Sequence, residues 1–155
     1  MHTKRKGSIA ELAVAAALIK NSWHVLMPYG ENTRYDLVAE RDGRFVRIQV
    51  KYVTPKDGKL KVNCRSSNNW STLSYTAREI DVIAAYDASS AAIYYVPVAS
   101  IRKAEMNLRL APTKNNQKAK VRFAEQFLEL HEQRATYAID DLFGAGAGVA
   151  NRSSL

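Results

Sequence analysis

Asp36, Gln49 and Lys51 are residues whose types and spacing suit chemistry in this 155-residue chain. A carboxylate and an amide offer hard oxygen atoms to a divalent cation. An ammonium beside them can orient or deprotonate a water and stabilise charge developing on a phosphate. Two alternating arms carry these residues. In Tyr35 to Glu40, Tyr35, Leu37 and Ala39 share one face, with Asp36, Val38 and Glu40 on the other. In Phe45 to Tyr52, Val46, Ile48 and Val50 oppose Arg47, Gln49 and Lys51. Period two with β-branched residues predicts strands. Asp42-Gly43 between the arms is the preferred pair for a type I′ turn. That turn sets Arg41 against Arg44, so paired residue numbers sum to 85. Asp36 then lies across from Gln49, and Arg34 across from Lys51, with opposed Cβ atoms about 5 Å apart. The alternative is the wet face of an ordinary hairpin; Val38 and Phe45 count against it.

The elements around the hairpin follow from the same patterns. Ser8, with Glu11 three residues on, has the form of a capping box. It predicts a helix from there to about Lys20, apolar on most faces and well buried. Glu11 shares a side with Ala15 and Leu18 and is a candidate site residue as well as a cap. Trp23–Tyr29 reads as a first strand, and Leu60–Arg65 alternates again. Ser66–Thr76 is rich in hydroxyls and amides. It is either a polar surface loop with Trp70 tucked inward or a nucleic-acid contact through Asn68, Asn69, Trp70 and Tyr75. Asp81–Tyr86 and Ala91–Val98 read as buried strands, and Leu108–Leu110 as an edge strand. Pro112 to Lys120 is a basic loop leading into a helix through about Glu132, with Phe123, Phe127 and Leu130 as its apolar stripe. A short apolar piece, Ile139 to Phe143, precedes a Gly/Ala tail.

The chain carries 23 Lys and Arg against 15 Asp and Glu, a net charge of +8. That surplus points to a polyanionic partner, with nucleic acid ahead of an anionic membrane. Cys64 is the single cysteine; a disulfide framework is excluded, which suits a reducing compartment. Lys4-Arg5-Lys6 before an apolar run imitates a signal peptide. Glu11 interrupts that run, and Asn21–His24 is no small-residue cleavage site. The run is too short to span a bilayer. The expected setting is cytoplasmic, with no membrane partner.

A helix with an inward Glu, a strand bearing Asp, and a strand ending in Gln49-Val50-Lys51 resemble the PD-(D/E)XK nuclease family over roughly residues 7–53. Tyr35 stands where the name-giving Pro would be, and Gln49 replaces the usual second acid. This Gln-x-Lys version in so small a chain resembles the homing-type endonucleases of the family. The resemblance implies a single-domain α/β, restriction-endonuclease-like fold over 1–143, a central mixed sheet flanked by helices, with a flexible tail over 144–155. It implies catalytic Glu11, Asp36, Gln49 and Lys51. Mg²⁺ or Mn²⁺ would be held by Asp36, the Val50 carbonyl, Glu11 and Gln49. Double-stranded DNA would be contacted by Lys4, Arg5, Lys6, Arg34, Lys56, Lys61 and Arg65 with the loop residues above.

One such set cuts one strand, so a double-strand cut needs at least a dimer; the resemblance suggests a tetramer. The expected activity is a sequence-specific, metal-dependent DNA endonuclease of homing type. A Holliday junction resolvase of the same fold and a decayed, non-catalytic DNA-binding module are the alternatives.

Overall fold

A computed structural model describes residues 2–30, 32–67, 72–112 and 121–131. Helix α1 (Thr3–Lys20) is followed by β1 (His24–Leu26), β2 (Leu37–Arg41) and β3 (Arg44–Val53). Next come β4 (Lys59–Asn63), β5 (Arg65–Ser67) and β6 (Thr72–Ser74). Strands β7 (Val82–Asp87), β8 (Ile93–Pro97) and β9 (Glu105–Arg109) complete the order. The main sheet has five strands in the order β1-β2-β3-β7-β8. It is mixed: β3 and β7 run parallel while the other neighbours are antiparallel. This is the α/β architecture expected from the resemblance.

The central hairpin forms in the predicted register, with Arg41 paired to Arg44 and Leu37 to Ile48. Asp42 (φ 53°) and Gly43 (φ 75°) both take positive φ, as a type I′ turn demands. The pairing departs from a plain ladder at Asp36. Its N–H donates to the Ile48 carbonyl at 2.8 Å, while Leu37 is paired with the same Ile48. Two residues thus oppose one, the count of a β-bulge. The extra residue flips the alternation. Tyr35 packs against the opposite side of the sheet from Leu37 and Ala39, whereas simple period two puts all three together.

The sheet divides two cores. Ala10, Val14 and Leu18 of α1 meet Leu37, Ile48, Val82 and Ala84 on one side. On the other, Ile83, Ala85 and Val96 meet Leu60, Val62, Met106 and Leu108 of the β4–β9 ribbon. The parallel step from β3 to β7 is therefore filled, among the described residues, by short strands rather than by the helix usual in such crossovers.

Four expectations are corrected. The helix starts at Thr3, five residues before Ser8, whose hydroxyl instead donates to the Lys4 carbonyl one turn back at 3.2 Å. No side chain caps the helix at its N-cap, His2, so the Ser8–Glu11 pair is not a capping box. Helix α1 is also not buried all round: Leu12 and Ile19 are 64% and 62% exposed, because it covers one sheet face and nothing described covers the helix. The first strand is shorter than Trp23–Tyr29, with Trp23 buried ahead of it. Residues 121–131 hold a single 3₁₀ turn, Ala124–Phe127, instead of a helix. Phe127 and Leu130 still pack inward, but against different sides of the sheet, which a helical stripe cannot do. Residues 139–155, including the expected tail, lie outside the described residues.

One polar clamp ties the crossover to the sheet. Asp81 accepts from the Arg47 N–H (2.8 Å), from Arg47 Nε (3.0 Å) and from Arg47 Nη2 (2.8 Å). The same guanidinium donates to the carbonyls of Arg78 (2.6 Å) and Ala77 (2.8 Å). Arg47 thus serves the fold. Arg47→Ala is expected to lower unfolding free energy by about 1–3 kcal/mol, since charge-assisted bonds at a partly exposed site are lost. Urea unfolding measures this; a loss below about 0.5 kcal/mol, the range of ordinary surface changes, contradicts the clamp.

Candidate functional site

The bulge determines what Asp36 does. At the end of β2, Val50 would pair with residue 35 if the ladder continued. Instead, Asp36 Oδ2 accepts the Val50 N–H at 2.7 Å, so a side chain replaces the missing backbone partner. The same oxygen accepts from Gln49 Nε2 at 2.5 Å. Gln49 Nε2 also lies 3.5 Å from the Val50 carbonyl oxygen. Asp36, Gln49 and Val50 thus converge on one small volume at the end of the hairpin.

Glu11 joins from the helical side. Burial, followed by repulsion from Asp36, raises the Glu11 carboxyl above its ordinary range. Gly7, one turn earlier, leaves space beside it: a Cβ built there meets Glu11 Oε1 at 3.7 Å. Asp36 is also raised. Its burial outweighs the Val50 N–H, the Lys51 charge and the Gln49 hydrogen bond, all of which lower it. Two desolvated carboxylates facing one another favour protons or a cation between them.

Lys51 approaches from the ribbon side. Its Nζ lies 3.1 Å from the Tyr75 hydroxyl and 3.4 Å from the Arg65 carbonyl. It also sits 5.2 Å from the centre of the Tyr75 ring. Arg34 packs on the same ring at 5.0 Å and pairs with Glu79 through a 2.9 Å contact. Tyr75 itself is only 7% exposed. This buried phenol, holding Lys51 in place, is what reading the sequence missed. The two residues are 24 positions apart, and no local pattern links them.

The other expected residues are placed as follows. Lys4 and Arg5 are exposed in the first turn of α1, and Lys6 lies over the Tyr52 ring at 5.5 Å. Lys56 is exposed at the turn before β4. Lys61 is exposed and pairs with Glu105 at 2.9 Å. Arg65 is exposed, with its carbonyl toward Lys51. Arg34 is occupied by Glu79 and Tyr75, and Tyr75 lies in the core rather than on an open loop. Asn68, Asn69 and Trp70 lie outside the described residues.

The donor set suits a hard divalent cation. It consists of oxygen atoms from a carboxylate, a main-chain carbonyl and a side-chain amide, with a second carboxylate nearby. Among the described residues no group of three or more His, Cys, Asp or Glu could hold a metal ion. Gln49 accounts for that: it stands where a third carboxylate would complete the group. Gln49 directs Nε2 at the Asp36 and Val50 oxygens, so it donates where a cation would otherwise bind. A half-turn of the amide presents Oε1 instead.

A mixed sheet whose Asp-bearing and Gln-x-Lys strands end together beside a helix-borne Glu defines a restriction-endonuclease-like nuclease. The model of the PD-(D/E)XK endonuclease family matches residues 1–130, and the chain belongs to that family. Among solved structures it is similar to a bacterial homing endonuclease, I-Ssp6803I. The two are 29% identical with a TM-score of 0.63, over 76% of this chain and 84% of that one. It is also similar to Hjc of Archaeoglobus fulgidus, a Holliday junction resolvase from an archaeal hyperthermophile. There the identity is 17% and the TM-score 0.42, over 67% and 84% of the two chains. No curated protein sequence matches the chain. No helix among the described residues is long and apolar enough to cross a membrane.

The raised carboxyls carry a pH signature. The folded state holds protons on Glu11 and Asp36 more tightly than the unfolded chain does, so their contribution to stability is greatest in acid. It is lost as pH rises through the raised values. Glu11→Gln removes one of the two. Its melting temperature is expected to gain on wild type between about pH 4 and about pH 7 in chelator. Thermal melts across that range check the sign; a variant melting temperature that falls relative to wild type as pH rises refutes the facing-carboxylate reading.

Proposed function

We propose that this chain is a Mg²⁺- or Mn²⁺-dependent, sequence-specific DNA endonuclease of homing type, acting in the cytoplasm. The observation that carries the reading is the meeting of Asp36, Gln49 and the Val50 carbonyl, with the charges of Lys51 and Glu11 acting on Asp36. Asp36, the Val50 carbonyl and Gln49 Oε1 would hold the cation, with Glu11 supplying charge that Gln49 does not. When bound, the cation neutralises charge on the phosphate and acidifies a water. Lys51, steadied by Tyr75, would orient the attacking water and stabilise the charge that builds on the phosphate oxygens. Lys4, Arg5, Lys6, Lys56, Lys61 and Arg65 neutralise DNA phosphates, which makes binding salt-dependent.

Each chain supplies one Asp36–Lys51 set, so cutting both strands takes at least two copies. The family resemblance favours a tetramer. The exposed Leu12 and Ile19 on α1 support self-association.

The test is cleavage of linear duplex carrying the insertion site of the chain's own gene, with and without Mg²⁺, by wild type and Lys51→Ala. Wild type should cut at one position only when the cation is present. Lys51→Ala should bind as wild type does and cut about 10²–10⁴-fold more slowly. Tight binding by both with no cutting makes the protein a binding module, and preferential cutting of four-way junctions makes it a resolvase.

A further inference from the structure

On the face of the sheet opposite α1, one element is not used by the cutting chemistry: β4, from the crossover between β3 and β7, paired with β9, which follows β8. Strands β4 and β9 pair antiparallel over their full length, Lys59 with Arg109 through Asn63 with Glu105. Both alternate strictly between buried and exposed up to Arg109, which is half-buried. The inward residues Leu60, Val62, Met106 and Leu108 are 0–5% exposed and locked in the core. The outward residues are Lys59, Lys61 and Asn63 on one strand and Glu105, Asn107 and Arg109 on the other. An apolar floor therefore fixes the origins of six polar side chains in a twisted two-stranded ribbon.

We propose that this outward face reads base edges in the major groove of duplex DNA beside the cut. The inference rests on the endonuclease reading above and adds where its sequence specificity resides. A two-stranded ribbon fits the major groove in width, and Asn and Arg make the bidentate contacts that distinguish adenine and guanine there. A face that merely bound phosphates would need cations alone. Here two amides are interleaved with three cations, and Glu105 ties Lys61 in place at 2.9 Å.

The ribbon is also anchored to the site. Asn63 is two residues from Arg65, whose carbonyl lies 3.4 Å from Lys51 Nζ. Near this end, Asn63, Arg65, Lys103 and Asn107 line an open depression of about 560 Å³. From Asn63 to Lys59 the strand extends about 13 Å at ~3.3 Å per residue. That covers about four base-pair steps of ~3.4 Å. The ribbon should therefore read about four consecutive base pairs on one side of the scissile phosphate.

The experiment is selection from a randomised duplex pool by full-length protein in chelator, comparing wild type with Asn107→Ala and Arg109→Ala. Both substitutions lie on the outward face, and melting temperatures confirm that the variants are folded. Wild type should enrich one motif. Each variant should lose preference at one or two adjacent base pairs within about four of the cut, with ~10- to 100-fold less discrimination there. A variant that selects the wild-type motif unchanged, or loses affinity equally for all sequences, overturns the ribbon as reader. A wild type that enriches no motif overturns sequence-specific recognition itself, and the ribbon's role with it. Cleavage by wild type, measured separately, tests the catalytic reading independently.

Discussion

The carboxylate of Asp36 closes the end of the central hairpin, and the site is built on that closure. Backbone groups at the last rung of a ladder must find partners or face solvent. Here the bulge at Asp36 removes the next backbone partner of Val50 and supplies a carboxylate in its place. The Val50 N–H is satisfied, while its carbonyl lies 3.5 Å from the Gln49 amide nitrogen. The bulge also reverses Tyr35, which packs on the ribbon side with Tyr75. One extra residue thus links the ligand geometry, the strand end and the core behind Lys51.

Charge balance explains the rest of the site. A third carboxylate at position 49 would add repulsion to Asp36 and Glu11, both already raised by burial. Gln49 avoids that. It donates to Asp36, a contact that an ionised carboxylate at that position could not make. Gln49 leaves two carboxylates, Asp36 and Glu11, at this end of the hairpin. Lys51 is held by groups that do not neutralise it: a phenol, a carbonyl and an aromatic face.

The sheet also separates two packed layers by face. Helix α1 buries one side and delivers Glu11 at its edge. The ribbon buries the other side, and its end meets Lys51. A helical crossover would have filled this second layer with a cylinder presenting only one narrow stripe outward. Two strands instead present two rows of side chains in fixed register, continuous with the hairpin that carries the site.

The sequence by itself determined the hairpin. Period-two alternation and Asp42-Gly43 dictate its register, because both signals are local and a one-residue slip would expose Ile48 and Val50. Asp36, Gln49 and Lys51 were legible for that reason, as were the buried strands around Ile83 and Val96. The start of α1 was not: Ser8 offers a cap, but Lys4, Arg5 and Lys6 before it favour helix, and the helix runs through Gly7 despite its weak propensity. The apolar spacing of Phe123, Phe127 and Leu130 looked helical, yet Phe127 and Leu130 serve two different cores. Only tertiary structure decided the Asp36 bulge, the Tyr75–Lys51 contact, the Arg47–Asp81 clamp across 34 residues and the pairing of β4 with β9. Each joins residues far apart in the chain, where no local period constrains the partner and packing against the sheet makes the choice.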